Sequence, residues 1–134
     1  RQTVEAGDGK FYELEYYKCF SRATSRALQD HLKAHRWLVK TLRHLPKPLG
    51  VAAASDDVAL RVMRACDDAK LYVPEEVAVL GCHNDPLICD YAPVPLSSVD
   101  DDLERIGYEG AKLLDRLMDG KPASCKPILI PPKG

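Results

Sequence analysis

The 134-residue sequence lacks the features of several common protein classes. No apolar run approaches the roughly 20 residues that a membrane-spanning helix needs, and no apolar segment of the signal-peptide kind follows the first residues. The net charge of −1 gives no general attraction to DNA or to an acidic membrane. We therefore expect a cytoplasmic protein with no membrane partner, in which any DNA contact is made by a segment outside this chain.

Motifs for catalysis and for cofactor binding are also missing. The chain has no GxGxxG loop and no Walker loop, which bind nucleotide phosphates, and no GxSxG nucleophile elbow. Its five cysteines are odd in number and contain no CxxC pair, so neither a disulfide framework nor a zinc site is indicated. We expect reduced thiols, no cofactor, no metal site and no enzymatic activity.

Two short apolar runs carry the prediction of fold. Leu49–Ala54 and Val77–Gly81 show no polar alternation, which is typical of strands covered on both faces. A helical pattern lies between them, and helices between buried strands imply parallel pairing with right-handed crossovers. With 46% hydrophobic residues the chain can bury one core. The predicted fold class is therefore α/β, an open and mainly parallel sheet flanked by helices.

Weaker patterns complete the expected order of elements. Residues 1–10 have no period and are predicted to be irregular, and an aromatic-rich stretch predicts a strand at about 15–20. Apolar residues at steps of three and four predict three helices, over 28–42, from 56 to about 70 and over 102–118. Short strands are expected at 96–99 and 126–130.

A polar cluster follows each of the two apolar runs. Ser55-Asp56-Asp57 comes after the first and Cys82-His83-Asn84-Asp85 after the second. Because open parallel sheets bind ligands outside the carboxyl ends of their strands, both clusters are predicted to share one ligand-binding edge. The candidate ligand-binding residues are Ser55, Asp56, His83, Asn84 and Asp85.

Other interpretations of these clusters stay open. Ser55 or Asp56 is also a candidate N-cap for the following helix, and the second cluster is equally compatible with plain loop structure. His83 and Asp85 make a weak metal signal without a third ligand. A nucleophile–base pair of Cys82 and His83 is disfavoured, since adjacent residues of an extended chain point to opposite sides.

Three sequence blocks resemble the effector domain of lactose-repressor-type transcription regulators, whose fold is shared with periplasmic sugar-binding proteins. The blocks are Pro48–Asp57, Val73–Gly81 and Pro95–Val99, and the resemblance extends over residues 37–132. Within that family, Glu104–Glu109 and Ile130–Pro132 are similar to xylose-operon activators.

The resemblance implies a lobe of a sugar-sensing bacterial transcription regulator. In the family a sugar is clamped between two lobes; residues 1–134 resemble the C-terminal lobe, so the N-terminal lobe and a helix-turn-helix module would lie outside this chain. The alternative is a lobe of a periplasmic-type solute-binding protein that serves a transporter. Family dimers pack through this lobe, which implies a homodimer interface formed by Leu60, Met63, Arg64 and Tyr91. Tyr91 is equally compatible with an ordinary half-buried tyrosine.

Two site positions depart from the family pattern. The family usually has an asparagine where Ser55 stands and a sugar-clamping aspartate where His83 stands, whereas Asp56, Asn84 and Asp85 match. An aspartate accepts two hydroxyl hydrogen bonds, but a neutral histidine offers one donor and one acceptor. The resemblance implies a pentose such as xylose as effector, and the departures leave open a different ligand or the loss of sugar binding.

Overall fold

A computed structural model describes Tyr12, Leu14 and residues 27–122 and 126–134. The predictions for residues 1–10 and 15–20 lie outside the described residues. Seven elements follow one another along the described part: α1 (Ala27–His44), β1 (Leu49–Ala52), α2 (Asp56–Ala69), β2 (Val77–Cys82), α3 (Pro86–Cys89), β3 (Ser97–Val99) and α4 (Leu103–Met118).

The three strands form one parallel sheet in the order β1-β2-β3. Val51 pairs with Val79 between the first two strands, and Cys82 pairs with Val99 between the second and third. The predicted parallel pairing is therefore confirmed. Because all three strands run in the same direction, their carboxyl ends meet at one edge of the sheet.

Helices α1 and α2 pack together over one face of the sheet and form the main core. Buried residues of α1 recur at four-residue spacing and meet those of α2 and the start of β2; they are Ala34, Leu38, Leu42, Val62, Ala65, Cys66 and Val77. A second cluster joins α2 to the segment after β2 and contains Ala59, Met63, Cys89 and Leu96. The first cluster thus packs α1 and α2 on the amino end of β2, and the second packs α2 on the segment that connects β2 to β3.

The opposite face of the sheet is open in the part of the chain that the structure describes. Gly50 and Ala52 of β1 and Ala78 and Leu80 of β2 are exposed, while their neighbours along each strand are buried or half-buried. The expectation that these strands are covered on both faces is therefore wrong for the described residues. Successive side chains of a strand face opposite ways, so a single helical layer shields only every second residue.

Helix α4 is amphipathic but contains no buried residue. Its large apolar side chains Leu103, Ile106, Leu114 and Leu117 are each about half exposed, and within the described residues it packs extensively on no other helix or strand. None of the described helices combines the length and the apolar character that crossing a bilayer requires.

The final segment contains no strand among its described residues 126–134, so the predicted strand at 126–130 is wrong. Ile128 and Ile130 instead line a groove with Ile106 and Leu113 of α4. The backbone then returns to the end of β3, where Lys133 N–H donates to the Asp100 carbonyl over 2.7 Å. A strand needs a neighbouring strand to complete its hydrogen bonds, and the described residues provide none beside this segment.

Candidate functional site

Asp56 ties the three carboxyl ends of the sheet together. Although it is the first residue of α2, only 2% of it is exposed. One carboxylate oxygen accepts a hydrogen bond from Asp85 N–H over 2.8 Å, and the other accepts one from the Ser98 hydroxyl over 2.6 Å. Hydrogen bonds to an ionised acceptor are among the stronger ones in proteins. The two polar clusters predicted to share one edge are thus in direct contact.

Gly81 makes the room for this arrangement. It is buried in β2, and a Cβ atom added there would overlap the Asp56 carboxylate and come within 3.2 Å of Leu96 Cδ2. The absence of a side chain at this position therefore lets the aspartate lie directly against the sheet.

Ser55 is the N-cap of α2. Its backbone is extended, with φ −160° and ψ 163°, and its hydroxyl oxygen accepts from Val58 N–H over 3.4 Å. The capping interpretation is thereby confirmed for Ser55. The residue is half-buried and stands at the same edge of the sheet as the second cluster. A hydroxyl that accepts from the helix still has a proton to donate to a ligand.

His83 and Asn84 follow β2 in left-handed backbone conformations, with φ of 97° and 53°. His83 N–H donates to the Val99 carbonyl over 2.9 Å, and Asn84 N–H donates to Ser98 Oγ over 3.1 Å. Positive φ is uncommon for residues other than glycine and is stabilised here by these bonds to β3. Both residues are exposed, so their side chains are accessible at the edge.

Asp85 begins the short helix α3 as its N-cap. Its carboxylate accepts from Leu87 N–H over 2.9 Å, and Pro86 occupies the first turn. The loop predicted after the second cluster therefore contains one helical turn. The side chain remains exposed, so one face of the Asp85 carboxylate is accessible from solvent.

Asp101, which the sequence reasoning missed, completes a group of three potential donor atoms with Cys82 and His83. A thiol sulfur, an imidazole nitrogen and a carboxylate oxygen lie within 4.8 Å of one another. The positive φ of His83 shows that the chain is not extended there, so the alternation that disfavoured a joint role for Cys82 and His83 does not apply. The Asp100-Asp101-Asp102 run after β3 was the only sequence signal for the third donor.

The predicted dimer residues differ in accessibility. Arg64 is exposed, Leu60 is half-buried and Met63 is only 6% exposed, within the second core cluster. Tyr91 is 83% exposed, so its interpretation as a half-buried tyrosine is wrong. Met63 and Arg64 also line a surface groove of about 570 Å³ with Tyr72 and Val94.

The described cysteines are free thiols. Burial raises the pKa of the Cys66 thiol to about 11 and also raises the pKa of Cys89. Cys66 and Cys89 are therefore small apolar residues of the core, as predicted, whereas Cys82 is partly accessible. Cys19 and Cys125 lie outside the described residues.

Sequence comparison relates most of the chain to one family of domains. The family model of the periplasmic binding protein-like domain matches residues 5–134. The xylose operon regulatory protein of Haemophilus influenzae is 40% identical over 104 residues, covering 78% of this chain and 27% of that protein. The xylose operon regulatory protein of Escherichia coli K12 is 35% identical over 120 residues, covering 90% and 31%. The chain thus spans less than a third of the length of these curated relatives.

Solved structures give the same relationship. The structure of a xylose-binding transcription activator superposes with a TM-score of 0.67 at 34% identity, covering 77% of this chain and 27% of that chain. The cellobiose complex of the transcriptional regulator CelR superposes with a TM-score of 0.65 at 27% identity, covering 78% and 31%. These similarities confirm the predicted α/β fold class.

Proposed function

The chain belongs to the periplasmic binding protein-like domain family and is related to transcription regulators of the lactose-repressor type, and from this premise we propose that it is the ligand-sensing lobe of a bacterial transcription regulator. The ligand is a small sugar that binds between this lobe and a second one. The contact between the two polar clusters through Asp56 carries the proposal, because it forms one continuous polar edge.

We assign the residues of that edge to two roles. Ser55, His83, Asn84 and Asp85 present hydroxyl, imidazole, amide and carboxylate groups that suit the hydroxyls of a sugar. Asp56 is only 2% exposed and accepts one hydrogen bond on each oxygen, so we assign it to positioning the loops beneath the ligand. A pentose such as xylose is the first candidate effector, because the relatives named above are xylose operon regulators.

The exposed apolar side chains of α4 are evidence for a second lobe. This apolar stripe is formed by four side chains that are each about half exposed: Leu103, Ile106, Leu114 and Leu117. Burying such surface is favourable by roughly 25 cal/mol per Å². We propose that the N-terminal lobe, outside this chain, covers that stripe. The sugar would then bind on the lobe boundary, with part of its hydrogen bonds made by each lobe.

Signalling would follow from a shift in population between open and closed forms. A sugar that contacts both lobes binds the closed form more tightly and so increases its share. Closure reorients dimer partners and, through them, DNA-binding modules outside this chain. We place the dimer contact at the exposed residues Tyr91 and Arg64 with the neighbouring Leu60 and Met63. On this proposal the protein is cytoplasmic and not an enzyme; the regulator relatives favour it over a transporter role.

The test is calorimetry of the full-length protein against a panel of pentoses and hexoses. His83→Ala removes one hydrogen-bonding group from the edge, worth about 0.5–1.5 kcal/mol, so affinity for the effector should fall about two- to tenfold. His44→Ala is the matched control, because His44 ends α1 and precedes the amino end of β1, at the opposite edge of the sheet. Equal affinities for the His83 variant and the unmodified protein would show that the assigned edge is wrong.

A further inference from the structure

Cys82, His83 and Asp101 place three metal-donor groups together at the carboxyl edge of the sheet, all within 4.8 Å. We propose that these three residues bind a divalent cation of borderline softness, Zn²⁺ being the best match, and leave a fourth coordination position open. The inference does not depend on the sugar-sensing role, because it rests on the donor set alone.

Local backbone structure brings the three donors together. Cys82 is the last residue of β2, and Asp101 lies between β3 and α4. The φ of 97° at His83 ends the extended conformation directly after Cys82. The His83 imidazole is therefore not forced to the face of the sheet opposite Cys82, as it would be in a continuing strand. The hydrogen bond from His83 N–H to the Val99 carbonyl, 2.9 Å long, holds this turn against the strand that leads to Asp101.

The Asp101 carboxylate has an unused acceptor. Its Oδ2 atom lies 2.9 Å from Nδ1 of His83, whereas its enclosed Oδ1 atom has no hydrogen-bond partner among the described residues. An enclosed carboxylate oxygen without a donor is unfavourable. A cation bound through Oδ1 would remove that deficit, and the 44% exposure of the His83 side chain leaves a path for the ion.

The chemistry of the donors favours zinc over the hard cations. Thiolate and imidazole ligands select Zn²⁺ and related ions, whereas Mg²⁺ and Ca²⁺ prefer an all-oxygen set. Zinc bonds of about 2.0–2.3 Å put tetrahedral ligand atoms about 3.5 Å apart, so the donors need shifts on the order of 1 Å. Binding releases the thiol proton of Cys82 to solvent, and the open fourth position takes a water molecule or a ligand oxygen.

Cobalt substitution in the full-length protein tests the site, with Co²⁺ as a spectroscopic substitute for Zn²⁺. We expect a thiolate-to-cobalt charge-transfer band that Zn²⁺ abolishes by competition and that is lost in Cys82→Ser. His83→Ala and Asp101→Asn should each weaken Co²⁺ binding at least tenfold. The matched controls His44→Ala and Asp115→Asn should bind Co²⁺ like the unmodified protein. A band that persists in Cys82→Ser would overturn the proposal.

A second measurement uses the unmodified protein and so does not depend on a variant that folds. Zn²⁺ should slow alkylation of Cys82 at least tenfold, as read from its own peptide by mass spectrometry, and Mg²⁺ should not. Alkylation of Cys82 at an unchanged rate in Zn²⁺ would refute the site. Calorimetry with sugars tests the two proposals separately. If the protein binds a sugar but Zn²⁺ does not slow alkylation of Cys82, the metal site is refuted and the sugar-sensing proposal stands.

Discussion

Replacing Asp56 by alanine is the sharpest perturbation of the carboxyl edge. The change deletes the acceptor of two hydrogen bonds. One comes from the N–H of Asp85, the N-cap of α3, and the other from the hydroxyl of Ser98 in β3. Both bonds join segments that are far apart in sequence, and the aspartate that makes them is only 2% exposed. The start of α2, the loop after β2 and strand β3 therefore lose their common anchor.

The expected cost follows from the two bonds. A hydrogen bond to a charged acceptor contributes about 1.5–3 kcal/mol, which gives about 3–6 kcal/mol for the pair. Removing the carboxylate also removes the cost of burying it, so we expect a net loss of about 2–4 kcal/mol in unfolding free energy. Asp57→Ala is the matched control. Asp57 is the exposed neighbour, bound to Arg61 over 2.8 Å, and its loss should cost about 1 kcal/mol or less.

Urea denaturation of the full-length protein measures the two free energies, and amide hydrogen exchange locates the change. In Asp56→Ala, residues 83–90 should exchange faster, because their connection to α2 is lost, whereas in Asp57→Ala they should exchange as in the unmodified protein. Equal destabilisation of the two variants, within about 0.5 kcal/mol, would refute the anchoring role of Asp56.

Three further predictions concern other parts of the lobe. Gly81→Ala should lower the unfolding free energy by about 1–3 kcal/mol, because its Cβ overlaps the Asp56 carboxylate; a neutral change in denaturation would contradict that packing. Burial raises the pKa of the Cys66 thiol from 9.0 to about 11. Its thiolate fraction should therefore be about one hundredfold below that of a free thiol. Iodoacetamide should therefore label Cys82 before Cys66, and labelling of Cys66 at the same rate would contradict its burial. The hydrogen bond from Lys133 holds the pKa of Asp102 below 3.8, so this contact should stabilise the fold above that pH and weaken as the pH falls through the lowered pKa. In Lys133→Met an NMR titration should find the Asp102 pKa closer to 3.8, and an unchanged value would show that the contact does not form.

The sheet and its helices could be predicted because their signals are local. The apolar run at Val77 and the regular spacing from Val58 to Ala69 fix one strand and one helix, and Ser55 marks where that helix begins. The edge shared by the two polar clusters followed from parallel pairing alone. The short helix α3 was missed, since its four residues are too few to show a period.

The remaining errors come from tertiary context. Nothing in the sequence distinguishes the buried Asp56 from the exposed Asp57, because burial depends on Gly81 of a neighbouring strand. The left-handed turn at His83 depends on a hydrogen bond to β3 and brings in Asp101 from 18 residues further on. The predicted strand at 126–130 failed because pairing requires a neighbour that the described residues do not provide.

A crystal structure of the full-length protein with the sugar that binds most tightly in the calorimetric panel would show directly where the sugar lies. We expect the sugar between two lobes, with its hydroxyls hydrogen-bonded to Ser55 and to His83 and with Asp56 beneath it still bound to Asp85. A sugar bound away from the ends of β1 and β2 would refute the assigned binding edge.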